Sequence, residues 1–337
     1  MNNNTVLSTV QLLILDHAAP TIIMIAIDEQ IKLHTLLSQL FLLSSIPTFI
    51  ATRWFTVAPF GRHLPDEKQH KKWHGPKFNA RLSWMLFESP NLIWSWYCCS
   101  HLCNRDVFFL DTEATMSSSQ GGAIISLQHN HLQISTNTIL LSLFTLHYIN
   151  RAIIYPLRMN SNSNKVPLIV TLSASLVTTV NGYLQSFYLT QIQKYDPLSL
   201  TSLTLEDIQR WIGILLFFVG LGINVHSDGV LRNLRRYGPS GKSKEKQQVQ
   251  QSSKPNHTYY IPYSPFFTYV SCPNFAGEIL EWFGFAMASQ FSLPSVAFLV
   301  YVIANLVPRA VAHHEWYLRK FDDYPVERRW AVIPFIV

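Results

Sequence analysis

Charged and amide side chains recur at helical spacing inside segments that are otherwise apolar. Asn224, Asp228, Arg232 and Arg235 stand at i, i+4, i+8 and i+11, which places all four on one face of a helix. Asn274, Glu278 and Glu281 repeat at i, i+4 and i+7, and Arg309, His313, Tyr317 and Lys320 follow the same rule. His147 and Arg151 are four apart with Tyr148 between them, while Glu88 stands alone in an apolar stretch. An ionisable group at membrane depth is costly, so such groups usually face a protein interior or a wet cavity and are functional candidates. Interhelical hydrogen-bond glue is the plainer reading, and it suits Glu281 better than the set as a whole. Arg, Asn and Asp gathered at the same ends of the last three apolar helices suit a phosphate-rich, ribose-bearing ligand. No Gly-x-Gly-x-x-Gly follows a strand, so a nucleotide would be held by these helix faces and not by a soluble dinucleotide fold.

The elements that must carry these residues are set by composition. Of 337 residues 48% are hydrophobic and 14% charged, against about 25% charged in an ordinary soluble domain. The apolar residues fall into runs of about the ~20 residues a helix needs to cross a bilayer. Seven are expected: Thr35–Thr52, Leu82–Cys103, Thr138–Leu157, Val166–Thr190, Ile208–His226, Phe266–Ala288 and Leu293–Ala312. The fold class is therefore all-α, an integral membrane bundle of about seven transmembrane helices. Val6–Ile27 is also apolar but is interrupted by Asp16, His17 and Pro20, and reads as an extra or interfacial helix within an N-terminal extension, residues 1–33. Met1–Thr5 carries no basic residue, so a secretory signal is not expected there.

Loop charge gives the orientation, because Lys and Arg accumulate on the cytoplasmic side. The loop after the first run holds Arg53, Arg62, Lys68, Lys71, Lys72, Lys77 and Arg81; the next has Arg105 against Asp106, Asp111 and Glu113. The alternation continues, which puts the odd loops and the C-terminus in the cytosol. It also explains the formal charge of +6 without nucleic acid. Residues 34–337 form one membrane domain with two polar, low-complexity insertions, 112–137 and 238–257. Gly241-Lys242-Ser243 lacks the glycine a phosphate-binding loop requires five positions earlier, where Arg236 stands. Cys98, Cys99 and Cys103 do not have zinc spacing and read as packing thiols, with a Cys99–Cys103 disulfide as the minor alternative.

At these same residues the chain resembles the steroid 5α-reductase family. The likeness rests on His313-His314-Glu315-Trp316-Tyr317-Leu318-Arg319-Lys320-Phe321-Asp322-Asp323-Tyr324-Pro325 with the ending Ile333-Pro334-Phe335-Ile336. It rests equally on Gly222-Ile223-Asn224-Val225-His226-Ser227-Asp228 with Leu231-Arg232-Asn233-Leu234-Arg235, and on Phe267-Thr268-Tyr269-Val270-Ser271 with Asn274, Gly277-Glu278 and Glu281-Trp282. His147-Tyr148 with Arg151, and Trp84 with Glu88 and Pro90, complete it. Phe60 stands where the family often has Tyr, Phe87 where a polar residue is common, and Glu315 where Arg is usual.

The resemblance implies a multi-pass protein of the endoplasmic reticulum membrane that uses NADPH to reduce the 4,5 double bond of a 3-oxo-4-ene steroid. It assigns Glu88 and Tyr148 to the steroid carbonyl and to catalysis, with Trp84 and Trp282 lining the steroid site. Arg151, Asn224, Asp228, Arg232, Arg235, Asn274, Glu278, Arg309, His313 and Tyr317 are assigned to the cofactor, and no metal is implied. Hydride addition to the enone leaves charge on the carbonyl oxygen, which needs hydrogen-bond donors. Tyr148 donates as a phenol, and Glu88 can do so if its apolar surroundings keep it protonated. Enoyl-thioester and polyprenol reductases are the alternatives within the superfamily. A transporter is the alternative outside it, but no internal repeat or matching pair of broken helices is seen. The oligomeric state is left open.

Overall fold

The computed structural model describes residues 28–55, 76–102, 135–159, 163, 165–198, 204–238, 259–325 and 329–337. Seven helices account for most of it. They are α1 (Asp28–Trp54), α2 (Ala80–Tyr97), α3 (Thr136–Arg158), α4 (Leu168–Ile192), α5 (Leu205–Tyr237), α6 (Pro273–Ala288) and α7 (Leu293–Lys320). All of these except α2 and α6 are long and apolar enough to cross a membrane. Those two carry polar positions where a span would be apolar, and α6 has only 16 residues. The expected N-terminal helix, Cys103 and most of both insertions lie outside the described residues, and Cys98 and Cys99 are free thiols.

Helix ends follow local chemistry. Asn79 caps α2 by accepting from the backbone N–H groups of Arg81 and Leu82, and Thr204 and Asp207 form a reciprocal capping box on α5. The sixth run does not begin at Phe266 as expected. Phe266–Thr268 is a single tight turn and the helix starts at Pro273, whose missing N–H suits the first helical position. The intervening backbone is engaged elsewhere: Ser271 and Cys272 donate to the carbonyls of Trp330 and Ala331 at 2.8 and 3.0 Å, which ties the C-terminal tail beside α6. A two-residue antiparallel pairing, β1 (Lys77–Phe78) with β2 (Val166–Pro167), clips the starts of α2 and α4 together.

Two close helix approaches bring the polar residues into contact. At the α5–α6 crossing a Cβ on Gly220 would lie 2.5 Å from the Gly277 carbonyl oxygen, and one on Gly277 would lie 2.6 Å from the Asn224 nitrogen. Gly213 and Gly284 repeat the approach two turns away. Without these glycines the backbones could not meet, and Asn224 could not reach α6. At the α2–α4 crossing a Cβ on Gly182 would lie 2.9 Å from the Asn91 Cα. The main core fills the space between, with Phe144, Leu184, Phe217, Trp282 and Phe285 almost wholly buried.

Candidate active site

Arg151 is the centre of the polar cluster. Its three guanidinium nitrogens lie 3.7 Å from Glu88 Oε1 on α2, Asp228 Oδ2 on α5 and Glu278 Oε2 on α6. Its flat face covers Trp84 at 4.7 Å and Tyr155 at 5.5 Å, a stacking that guanidinium favours. Glu88, alone in its own helix, therefore shares one cation with two carboxylates drawn from other helices. On the α5–α6 side, Asn224 Nδ2 donates to the Asn274 carbonyl at 2.9 Å and to Glu278 Oε2 at 3.2 Å, and Asn274 Nδ2 donates to Asp228 Oδ1 at 3.0 Å.

The remaining assigned residues sort into three places. Arg232 and Arg235 continue the Asn224–Asp228 face, the first half-buried and the second exposed. Arg309 packs its guanidinium 5.2 Å over Phe275, and His313 tilts against the same ring at 5.8 Å, so both border the cluster from α7. Tyr317 lies further along α7, stacked on Tyr324 at 5.1 Å in a separate aromatic group with Ile261. Trp282 is buried between Phe298 and His147, each ring 4.6 Å away, and lies 5.9 Å from Tyr148. Glu281 is wholly buried and pairs with His147 Nδ1 at 2.8 Å, a bond between α3 and α6 that holds Tyr148's neighbour in place.

The cluster also holds two unpartnered polar atoms. Asn224 Oδ1 and Arg151 Nε are buried and, among the described residues, make no hydrogen bond. Native proteins seldom leave such atoms unmet, and a polar ligand in the cluster would complete them. The donor set fits a nicotinamide nucleotide: carboxylates and amides that can hold ribose hydroxyls and a carboxamide, bordered by arginines that can hold phosphate.

Sequence reasoning passes over Asn91, Asn181 and Gln185. Asn181 Nδ2 lies 3.0 Å from the Tyr148 hydroxyl and 3.2 Å from Asn91 Oδ1. The signal that could have found them was present: Asn181 and Gln185 are four apart in the fourth apolar run, and Asn91 is one turn beyond Glu88.

Fold and site together define a helical membrane protein whose ionisable groups meet between helices at one end of the bundle. The family model described as 3-oxo-5-alpha-steroid 4-dehydrogenase matches residues 164–337. A steroid 5-alpha-reductase DET2 from Gossypium hirsutum is 34% identical over 92% of this chain and 99% of its own length. The 3-oxo-5-alpha-steroid 4-dehydrogenase 1 of Homo sapiens is 40% identical over 83% of this chain and 87% of its own; that of Rattus norvegicus is 33% identical over 83% and 86%. The chain belongs to the steroid 5α-reductase family.

Proposed function

We propose that this chain reduces the 4,5 double bond of 3-oxo-4-ene steroids to 5α-3-oxosteroids with NADPH, in the endoplasmic reticulum membrane with its C-terminus in the cytosol. One observation carries the reading. A single cation, Arg151, joins Glu88 on the proposed carbonyl side to Asp228 and Glu278 on the proposed nucleotide side, so the two half-sites adjoin. Asn224, Asp228, Asn274 and Glu278 would hold the nicotinamide end and its ribose, and Arg232, Arg235 and Arg309 the phosphates. NADPH, when bound, supplies hydride to the β-carbon of the enone.

The chain's own residues meet the charge that follows. Negative charge develops on the 3-oxo oxygen, and Tyr148 and Glu88 are the donors assigned to it; each donor aimed at such an oxygen in a dry site is worth about 3–4 kcal/mol. Arg151 lies 3.7 Å from Glu88 Oε1, and neither Glu88 oxygen makes a hydrogen bond among the described residues, so the carboxyl group has capacity to meet the substrate oxygen. Trp84, held beneath Arg151, would give a flat apolar wall suited to a rigid ring system, and Trp282, enclosed by Phe298, His147 and Tyr148, would back the site from behind. The α-carbon takes its proton from water.

Membranes containing the chain, incubated with NADPH and a panel of 4-en-3-one steroids, enoyl thioesters and polyprenols, test the reading. Consumption of the steroids alone is expected. Reduction of a thioester or a polyprenol with the steroids untouched would overturn it.

A further inference from the structure

Tyr148 does not stand by itself. Its hydroxyl is the last member of a buried chain of amides that begins at a main-chain carbonyl, and the chemistry of that carbonyl determines which way every bond in the chain runs. The Pro294 carbonyl, in the first turn of α7, can only accept. Gln185 therefore turns its nitrogen toward it, at 2.8 Å. The same Gln185 nitrogen lies 3.3 Å from Asn181, so Asn181 must present its oxygen there. That orientation places Asn181 Nδ2 on the other side, where it donates to Asn91 Oδ1 and to the Tyr148 oxygen. Tyr148 thus accepts from Asn181, and among the described residues its hydroxyl makes no other hydrogen bond. Its own hydrogen is left to point elsewhere.

We infer that Asn181 is a positioning residue for the reduction, and that the Pro294–Gln185–Asn181 chain biases Tyr148 to donate to the substrate carbonyl. A phenol free to rotate could offer a lone pair to a bound carbonyl as readily as a hydrogen. With one lone pair occupied by an amide N–H, the donating orientation is selected before substrate arrives. That N–H also opposes the negative charge drawn onto the phenol oxygen as the hydrogen bond to the enolate shortens. Asn91 and Gln185 hold the amide from both sides, and Asn181, Asn91 and Gln185 are all buried, so water does not compete for these bonds. The inference depends on Tyr148 being the carbonyl donor proposed above.

The opposing account is that the amides merely join α2, α3, α4 and α7, and a double-mutant cycle separates the two. Asn181→Asp, nearly the same size, puts an acceptor against the hydroxyl and draws its hydrogen away from substrate; Asn181→Leu removes the bond. Each should lower kcat about 10-fold or more while NADPH affinity stays within about twofold. Gln185→Met, which frees the Asn181 amide to flip without emptying its site, should lower kcat by a smaller factor of about three to ten. In a Tyr148→Phe background all three substitutions should have less than about a threefold further effect, because the hydroxyl they orient is gone. Equal losses in both backgrounds would show that the amides are structural and would overturn the inference. If the Asn181 variants do not bind NADPH, the same cycle run with Gln185→Met decides the question. Failure of the underlying reading appears separately: Tyr148→Phe alone would then turn over at close to the wild-type rate.

Discussion

Replacing Arg151 is the perturbation that strains this site most. Its guanidinium lies 3.7 Å from each of three carboxylates. With Glu88 counted as the neutral donor proposed above, two ion pairs remain; at an effective dielectric of about 20 each is worth roughly 4 kcal/mol before the cost of desolvating the ions, so the two together are worth about 8 kcal/mol gross. Desolvation removes most of that. Deleting one partner of a buried ion pair costs about 3–5 kcal/mol, because the charge left behind has nothing to balance it. We expect Arg151→Leu to lose stability in that range. Arg151→Lys should lose less, since it keeps the charge, but an ammonium cannot face three carboxylates across a planar fork. The assay is thermal inactivation in detergent, read as the temperature of half-loss of NADPH binding. Combining Arg151→Leu with Glu278→Gln should cost at least about 1 kcal/mol less than the two separate losses, because removing one carboxylate relieves the repulsion that the first change exposes. Full additivity, or an Arg151→Leu protein as stable as the wild type, would refute the hub.

Gly220→Ala should separate α5 from α6, since its methyl would meet the Gly277 carbonyl oxygen at 2.5 Å; a stability loss of about 1–3 kcal/mol and loss of NADPH binding are expected. NADPH should be preferred over NADH, and Arg235→Ala should raise the KM for NADPH more than that for the steroid; equal catalytic efficiency with both cofactors would count against the arginine assignments. Tyr148→Phe and Glu88→Ala should each lower kcat/KM by about 10²-fold. Glu88→Gln should retain more activity than Glu88→Ala if Glu88 works as a neutral donor, and the two should be equally impaired if it must ionise.

Much of this was legible in the chain because bilayer thickness and helical periodicity leave few solutions. The apolar runs mark the seven helices to within a few residues at most ends, and the i, i+4 stripes pick out Asn224, Asp228, Asn274 and Glu278, which do meet. What a single helix cannot show is which stripe its residues face. Glu88 looks alone because its partner, Arg151, sits on another helix, 63 positions away. Glu281 continues the Asn274–Glu278 stripe yet turns to His147 instead, because one further turn carries it from the polar cluster toward α3. The start of α6 departs from the expected Phe266 for a different reason: Phe266–Cys272 is apolar enough for a span, but its backbone bonds to the C-terminal tail, and hydropathy carries no signal of that. Asn181 was missed because an uncharged amide among apolar residues reads as ordinary helix packing until its partner is seen.

Transfer of isotope from the cofactor tests the central claim most directly. The chain in membranes would be incubated with NADPH deuterated at the transferring position of the nicotinamide and with a 3-oxo-4-ene steroid, and the product analysed by mass spectrometry and NMR. We expect a 5α-3-oxosteroid carrying one deuterium at C5 and none at C4. Unchanged steroid, or a reduced product without deuterium at C5, would contradict the assignment.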